Sequence, residues 1–307
     1  MGTFERVIKQ GKLSLGLVFP IEAYEGALAK MENQEFLAKR SEELGFKALW
    51  FRDVPFHDPT FGDAGQLYDP WVYIAHIMNH TKKIALATGS IILPLRHPVH
   101  TAKSLASLQV LSKGRILLGV ASGDRPSEFP AFGKALGKKS ELFRDSFHYL
   151  RTLQKHFPVL NGSSFGQLNG TIDLVPKYEA KTPMFITGHS GQQLDWIAQH
   201  ADGWLYYPRN FDFLKKSIQD WMDSLERGQQ SWKPYMQSLY IDLLEDQKAM
   251  PKPIHLGFQS GSDFLISYLK NLESHGVNHV ILNLKYGSRP AGRVVEELGE
   301  MLIPHFS

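Results

Sequence analysis

The turn at residues 187–193 contains the residues of this chain best suited to hold a phosphate group. Its sequence, TGHSGQQ, places Gly188, Ser190 and Gly191 between an apolar run and a helical pattern. Small side chains there let backbone N–H groups approach an anion, and the N-terminus of the following helix adds partial positive charge. Ser190 could instead cap that helix while the two glycines close a tight turn. The segment predicts an anion site, with helix capping as the alternative.

A second turn, SGDRPSEF, begins at Ser122 and follows another apolar run. Ser122 and Gly123 could add donors to the same anion, because we expect the strands before the two turns to be neighbours. Arg125 could add positive charge. It could also pair with Asp124 or Glu128 in a solvated cluster that contributes little energy. We expect Ser122 to bind the ligand and Arg125 to belong to a surface cluster.

Small side chains also end a third apolar run, at Thr88, Gly89 and Ser90. They leave room for a flat ligand to lie against the backbone. Shortly after them comes His97, followed by Pro98, a pair that could be mistaken for a catalytic motif. Proline is favoured at the first helical position, so we expect Pro98 to begin a helix and His97 to cap it or face a loop. We interpret His97 as structural.

Aromatic and basic residues after other apolar runs could line a substrate pocket. The aromatic residues are Phe56, Phe61, Tyr68 and Tyr207, and the basic residues are Arg52, Arg209, Lys285 and Arg289. Together they would suit an apolar or aromatic substrate with one acidic substituent. Each of them could also be an ordinary core or surface residue.

The composition describes a globular chain that can bury a large core. Of its 307 residues, 43% are hydrophobic and 21% are charged. A net charge of +3 gives no indication of a nucleic-acid or membrane partner. The lack of cysteine excludes disulfides, thiolate metal sites and a cysteine nucleophile, and we predict no metal site. The polar N-terminus and the lack of a long apolar run predict a cytoplasmic location.

Eight short apolar runs alternate with helical patterns along the whole chain, which we interpret as one domain over residues 1–307. The runs cover residues 13–19, 47–52, 84–92, 115–121, 183–187, 203–207, 237–243 and 279–284. Strands separated by helices form parallel sheets, because a parallel return needs a crossover element. An open doubly wound sheet would alternate similarly, so the count of eight favours a closed (β/α)8 barrel.

The helices of this barrel are predicted from apolar residues at three- and four-residue spacing. One covers residues 31–44, another covers residues 140–156, and a third runs on through Ile197. The other four have these apolar faces: Val99, Ala102, Ala106 and Val110; Leu214, Ile218, Met222 and Leu225; Phe264, Leu265, Tyr268, Leu269 and Leu272; Val294, Val295, Leu298 and Leu302.

One segment interrupts the alternation, at residues 157–182 between the fourth and fifth strands. Its two Asn-Gly pairs, at Asn161 and Asn169, predict an inserted β-hairpin. In such barrels the site forms at the carboxyl ends of the strands. We therefore expect the substrate pocket to lie between this insertion and the loops after strands one, two, six and eight.

Several motifs in this order and spacing resemble the luciferase-like flavin-dependent monooxygenases. They are LPLRHP at residues 93–98, LSKGR at 111–115 with Gly119 after it, EFPAFG at 128–133, ADGW at 201–204 and GVNHVILNL ending at residue 284. The resemblance covers essentially the whole chain. It implies a TIM barrel, a homodimer or larger assembly, and an enzyme that uses reduced flavin mononucleotide (FMN) and O2 on a small organic substrate.

The resemblance also implies positions for the cofactor. The isoalloxazine ring would lie near Phe19, Thr88, Gly89, Ser90 and Tyr207, and the phosphate near Ser122, Gly188, Ser190, Gly191 and Gln193. It further implies a cis peptide bond between Gly89 and Ser90. No GxGxxG dinucleotide fingerprint is present, so we expect a partner flavin reductase to supply the reduced cofactor.

The chain departs from the family after the second strand. Many relatives carry a catalytic histidine directly after an acidic residue, but here Asp53 is followed by Val54. The nearest imidazole is His57, which could enter the site with Asp53 or Asp58 orienting it, or could be an exposed loop residue. Asp53 and His57 are the candidate catalytic residues, and light emission is not supported.

Three other functions are compatible with parts of this pattern. A deazaflavin-dependent enzyme would transfer hydride on the same fold without activating oxygen, and a relative without catalysis could store or sense flavin. A barrel hydrolase or aldolase fits less well. A metal hydrolase would want an HxH pair at the end of the first strand, and a Schiff-base aldolase would want a lysine in the sixth, and neither residue pattern is present.

Overall fold

The computed structural model describes residues 2–306, and its main sheet closes into a parallel barrel. The strands are β1 (Ser14–Val18), β2 (Ala48–Phe51), β3 (Ala85–Thr88), β4 (Ile91–Ile92), β5 (Ile116–Ala121), β6 (Val159–Ser163), β7 (Gly166–Asn169), β8 (Met184–Thr187), β9 (Gly203–Tyr206), β10 (Tyr235–Leu243), β11 (Lys252–Ile254), β12 (Gly257–Ser260) and β13 (Val277–Asn283). The barrel order is β1, β2, β3, β5, β8, β9, β10, β13, and β13 pairs with β1 to close it. The predicted eight-stranded α/β barrel is confirmed.

The helices surround this barrel. They are α1 (Thr3–Val7), α2 (Gln34–Leu44), α3 (Pro70–Ile77), α4 (Pro98–Leu111), α5 (Glu128–Ala131), α6 (Lys139–Leu153), α7 (Leu194–His200), α8 (Phe211–Arg227), α9 (Ser262–Ser274) and α10 (Ala291–Met301). Short 3-10 turns lie at Leu93–Leu95, Leu136–Lys138 and Ile303–His305. All seven helices expected from the apolar spacing are present, with ends that differ by a few residues.

Two of the predicted helix faces are wrong in part. Val110 is 44% exposed and Met222 is 40% exposed, although the spacing placed both against the core. On α4 the inward position next to Val110 is taken by Gln109, because its side-chain amide donates to the carbonyl of Ile116 at 3.0 Å and accepts the N–H of Ile116 at 3.2 Å. On α8 the large side chain of Trp221 occupies the inward position next to Met222.

The third predicted run is two strands rather than one. Strands β3 and β4 are separated at Gly89 and Ser90, and the peptide bond between these two residues is cis, as the resemblance implied. Strand β3 pairs with β5 at Leu86 and Ala87, and β4 pairs with β5 again beyond the break. The backbone therefore steps away from the sheet where the small residues lie.

The predicted hairpin in the insertion is confirmed, but neither Asn-Gly pair forms its turn. Strands β6 and β7 are antiparallel and are connected through Ser164 and Phe165. The Asn161–Gly162 pair lies inside β6, where the pairing register shifts. Asn169 ends β7, and its side chain accepts hydrogen bonds from the backbone and hydroxyl of Thr171.

Several elements were not predicted, among them the short helix α5 and the 3-10 turns. Helix α1 precedes the first strand, and helix α3 begins after Asp69, whose carboxylate caps it in front of Pro70. That Asp-Pro pair was a readable helix signal. The loop after β10 contains a second hairpin, β11 and β12, and β12 pairs in parallel with the outer end of β10. Its strands are too short and polar for an apolar pattern to reveal them.

The core has an inner and an outer layer because strand residues alternate between the two faces of the barrel. Inside, Trp50, Phe185, Leu205 and Met236 pack together with small residues that include Ala87. Outside, the strands pack against the helices in a larger cluster. The inner layer also includes Val7 and Ile8, so the segment around α1 covers the end of the barrel where the strands begin.

Close approach of β3 and β5 depends on a glycine. A Cβ atom at Gly119 would lie 2.0 Å from the backbone oxygen of Thr88, so alanine at this position forces the two strands apart. We expect Gly119→Ala to lower the free energy of unfolding by at least about 2 kcal/mol, measured by urea denaturation. Gly137→Ala is the matched control, because nothing lies within 4 Å of its added Cβ. Equal stability of the two variants would contradict this role.

Candidate active site

A cavity of about 320 Å³ opens at the carboxyl ends of the barrel strands. Every barrel strand or the residue directly after it contributes to the wall, through Val18, Trp50, Gly89, Ala121, Thr187, Leu205, Ser238 and Ile281. This is the end at which barrel enzymes form their sites. No residue of the insertion at 157–182 lines the cavity, so the prediction that this segment contributes to the pocket is wrong.

The small residues after β3 form part of the wall. Gly89 and Ser90 line the cavity, and the hydroxyls of Ser90 and Thr187 lie 2.5 Å apart. Thr88 does not line it. Its buried hydroxyl donates to the carbonyl of Gly119 at 2.7 Å and accepts the N–H of Gly119 at 2.9 Å. Thr88 therefore holds the two strands together instead of contacting a ligand.

The turns after β5 and β8 meet at the rim of this cavity. The N–H of Ser122 donates to the hydroxyl of Ser190 at 3.2 Å, and that hydroxyl donates to the carbonyl of Thr187 at 2.9 Å. Ser190 is in the left-handed region, with φ of 47°. The backbone N–H groups of His189 and Ser190 have no acceptor among residues 2–306 and belong to the cavity wall. The shared rim therefore offers donors to an anion.

The individual residues of the predicted anion site have different surroundings. Ser122, Gly188 and Ser190 line the cavity, whereas Gly191 and Gln193 are exposed and lie outside its wall. Gly191 is needed for packing, since a Cβ there would lie 1.9 Å from the hydroxyl of Ser140. The alternative that Ser190 caps helix α7 is wrong, because Gln193 occupies the N-cap position.

Phe19 is not in the cavity. It is fully buried in the outer layer, where its ring packs 4.7 Å from Phe51 and 5.3 Å from Tyr73. The preceding residue, Val18, lines the cavity instead. Because side chains alternate along a strand, a shift of one residue changes the face, and the sequence prediction chose the wrong one.

Asp53 lines the cavity, but its carboxylate is already bound. It accepts two hydrogen bonds from the guanidinium of Arg96, at 2.8 and 2.7 Å, and one from the N–H of Ile92 at 3.1 Å. Its side chain is 3% exposed. These contacts connect the loop after β2 to the segment after β4. They make Asp53 a structural anchor whose two carboxylate oxygens are already hydrogen-bonded.

His57 is exposed and does not line the cavity, whereas Val54 does. The prediction of His57 as a catalytic base is therefore not supported. The aromatic residues of the same loop also face outward, since Phe56 is 49% exposed and packs against Phe132. Tyr68 is 53% exposed. Of the four aromatic residues proposed for the pocket, Tyr207 alone lines this cavity.

The basic residues also differ from the prediction. Arg125 is 4% exposed and is not part of a surface cluster; it donates to the carbonyl of Asp63 and lies over the ring of Phe61 at 4.7 Å. Arg52 lines the cavity and pairs with Asp63 at 2.5 Å. The other three predicted cations lie outside the cavity wall, with Arg209 over Tyr206, Lys285 over Tyr24 and Arg289 paired with Glu297.

Sequence analysis missed a hydrogen-bonded chain inside the barrel. The indole N–H of Trp50 donates to Nε2 of His279 at 3.0 Å, Nδ1 of His279 contacts the hydroxyl of Ser14 at 2.6 Å, and that hydroxyl donates to the carbonyl of Val7 at 2.6 Å. Trp50 and His279 are fully buried. The only signal in the sequence was His279 itself, a polar residue at an inward position of the apolar run 279–284. That run was interpreted as a strand and as part of a family motif, and no role was given to the histidine.

The direction of this chain fixes the protonation of His279. Because the indole N–H of Trp50 donates to Nε2, that nitrogen must be an acceptor. Because the Ser14 hydroxyl donates its proton to the carbonyl of Val7, it must accept from Nδ1, which therefore carries the proton of a neutral imidazole. Burial lowers the pKa of His279 to about 3, which agrees with that form. Trp50 is therefore held in one orientation beneath Gly89, where an added Cβ would lie 3.1 Å from the indole ring.

His97 has the structural role expected of it. It is the N-cap of α4 and accepts the N–H of Val99 at 3.3 Å, while its other ring nitrogen contacts the carbonyl of Phe165 at 3.1 Å. Further residues of the cavity wall were not singled out by sequence reasoning as ligand contacts. They are Tyr206, Ser238, Tyr240 and Leu256.

Comparison with known proteins identifies a family. A family model described as luciferase-like monooxygenase matches residues 14–238. The alkanal monooxygenase alpha chain of Photorhabdus luminescens is 26% identical over 175 residues, which cover 54% of this chain and 44% of that protein. The match therefore spans less than half the length of that relative.

Solved structures share the fold. A secondary alcohol dehydrogenase dependent on coenzyme F420 is similar with a TM-score of 0.79 and 18% identity, over 96% of this chain and 99% of that chain. The oxygenating constituent of 3,6-diketocamphane monooxygenase from Pseudomonas putida, in complex with FMN, has a TM-score of 0.76 and 14% identity, over 95% and 98%. Within residues 2–306, no helix combines the length and apolar character needed to cross a bilayer.

The contacts of Asp53 and His57 predict different changes in stability when each side chain is removed. Asp53→Ala leaves Arg96 with Asp69 as its remaining carboxylate and removes the acceptor of the Ile92 N–H, so we expect the free energy of unfolding to fall by about 2 kcal/mol. His57→Ala removes an exposed side chain and should change it by less than about 0.5 kcal/mol. Urea denaturation of both variants measures this, and a large loss for His57→Ala would contradict the placement of that residue.

The link between Trp50 and His279 can be measured with a double-mutant cycle. His279→Leu leaves the indole N–H buried without an acceptor, so we expect a loss of about 2 kcal/mol of unfolding free energy beyond the packing change. In a Trp50→Phe background there is no N–H to satisfy, and this part of the loss should disappear. His279→Gln keeps an acceptor and should recover stability in the Trp50 protein. Additive losses would mean that the two residues do not interact.

Proposed function

The chain belongs to the luciferase-like monooxygenase family, and on that basis we propose that it is a flavin-dependent oxidoreductase of the monooxygenase type. It binds reduced FMN, uses O2 and acts on a small organic substrate. The observation that supports this most is the junction of Ser122 and Ser190, which brings two ligand-binding turns to the rim of one cavity. A partner reductase and a homodimer are part of the same proposal.

The residues of the rim fit the phosphate of FMN. The free N–H groups of His189 and Ser190 are donors of the kind that bind anions. Lys139 adds positive charge nearby, since its ammonium group contacts the carbonyl of Gly123 at 3.3 Å. We place the phosphate against this turn. The hydroxyl of Ser190 supports the phosphate site indirectly, because it is already bonded to the backbone of both turns and holds the two turns together.

The rest of the cavity fits a flat ring. Gly89 and Ser90 keep one side free of bulky groups, and Trp50 supplies an aromatic surface beneath them. Apolar side chains of Leu205 and Ile281 keep water away from the ring. Reduced FMN, when bound, supplies the electrons with which O2 is activated. The protein binds and orients the ring and the substrate and excludes solvent.

A deazaflavin is the second candidate cofactor, because the cavity offers the same phosphate donors and ring surface to it. The similarity of fold to an F420-dependent dehydrogenase is compatible with that alternative. Titration of the purified protein with FMN and with coenzyme F420, followed by absorbance, distinguishes the two. We expect FMN to bind and, with a flavin reductase and NADH, to support O2 consumption that increases with substrate. If the protein binds neither FMN nor coenzyme F420, the proposed function is overturned.

Ser190 provides a specific test of the phosphate site. In Ser190→Glu a bulky anion replaces the hydroxyl that joins the two turns, so we expect the dissociation constant for FMN to rise at least about tenfold, measured by quenching of flavin fluorescence. Ser231→Glu adds the same charge at an exposed position before β10, at the other end of the barrel, and should bind like the wild type. Unchanged affinity in Ser190→Glu would show that the phosphate lies elsewhere.

A further inference from the structure

Glu128 differs from the other acidic residues of the cavity wall because its carboxylate has an unused buried atom. Asp53 is bound by Arg96, and Asp124 is exposed to solvent. Glu128 is 3% exposed, and its Oε1 has no hydrogen-bond partner among residues 2–306. A buried carboxylate oxygen without a partner is costly, so this environment favours the protonated form of the carboxyl group.

The adjacent cation has the same property. Arg125 donates through Nη2 to the carbonyl of Asp63, while its Nη1 is buried without a partner among the described residues. Arg125 and Glu128 both line the cavity and are connected by the hydrogen bond from the N–H of Glu128 to the carbonyl of Arg125, at 3.2 Å. The wall after β5 therefore contains one buried donor and one buried carboxyl oxygen without partners among the described residues.

We propose that Glu128 is a catalytic residue of this cavity, whose carboxyl group contacts the bound ligand and exchanges a proton with it. The inference rests on the proposed function and assigns to Glu128 the acid–base role that the sequence suggested for Asp53 and His57. When the carboxyl acts as an acid, its O–H bond breaks and a new bond from that proton forms to an oxygen or nitrogen of the ligand. The carboxylate that remains is stabilised by the charge of Arg125.

The charges around Glu128 agree with a group that carries a proton near neutrality. Burial raises the pKa of Glu128 to about 7, and the charge of Arg125 opposes that change. The carboxylates of Asp53 and Asp58, after β2, and of Asp124, in the same turn, raise it further. A pKa close to the working pH suits a residue that both gives and accepts a proton.

The test is the pH dependence of FMN binding to the full-length protein. A bound ring removes Glu128 further from water, so it raises the pKa of the carboxyl and favours the protonated form. Affinity is then greatest at low pH and falls as the pH rises through about 7. If binding raises the pKa by one unit, the dissociation constant increases about tenfold across that range. The phosphate of FMN also titrates in this pH range, but its contribution to the dissociation constant is the same for all variants. Comparison of a variant with the wild type therefore cancels that contribution.

We expect Glu128→Gln, which resembles the protonated carboxyl at every pH, to lack this alkaline loss of affinity. Glu141→Gln is the matched control, since Glu141 is an exposed residue of α6, and it should follow the wild type. The proposal is overturned if the wild type binds FMN without the transition, or if Glu128→Gln retains it. A wild type that binds neither FMN nor coenzyme F420 overturns the proposed function as well, so the two failures are distinguishable.

A second measurement does not depend on the folding of the variant. Infrared difference spectra of the wild type between about pH 6 and about pH 8 should contain the carbonyl stretch of one protonated carboxyl group that disappears with a midpoint near 7. Addition of FMN should shift this band and its midpoint, because the carboxyl group contacts the ligand. Absence of the band, or a band that FMN leaves unchanged, would overturn the assignment.

Discussion

The indole N–H of Trp50 needs an acceptor in the middle of the barrel, and neutral His279 supplies it. A buried N–H without a partner would cost more than the hydrogen bond itself contributes. The bond therefore fixes the height and orientation of the largest side chain in the inner layer. The second ring nitrogen continues the chain through Ser14 to the carbonyl of Val7, so the floor of the cavity is connected to the closed end of the barrel.

Small residues surround this chain because the space is already filled. A Cβ at Gly16 would lie 2.8 Å from Nε2 of His279 and 3.0 Å from Nε1 of Trp50. Gly89 and Gly119 are similarly constrained by Trp50 and by the backbone of Thr88. The same absence of side chains that lets the interior pack also keeps the space above Trp50 open. The glycines around Trp50 thus allow both the close packing of the interior and the open space of the cavity.

Charged pairs decide the shape of the rim. Arg96 binds Asp53, and Arg52 binds Asp63. Burial would raise the pKa of Asp63, but the charge of Arg52 and the hydrogen bond from Tyr24 outweigh it and lower that pKa to about 2. These contacts hold the loop after β2 at both ends. Its middle, with His57, is left in solvent. The wall between the loops after β2 and β5 consequently consists of backbone and paired side chains, and Glu128 is the acidic group left with an unpaired buried oxygen.

The sequence by itself determined the architecture, because apolar periodicity and strand count depend on local composition. The family resemblance added the cis bond at Gly89, and small residues after two of the apolar runs indicated the turns at Ser122 and Ser190. Tertiary structure decided which side of a strand each residue faces and which charges pair. A shift of one residue sent Phe19 to the outer layer, and the carboxylate of Asp53 is bonded to Arg96, which is distant in sequence. Glu128 was recognisable only once its buried, unpartnered oxygen was located in three dimensions.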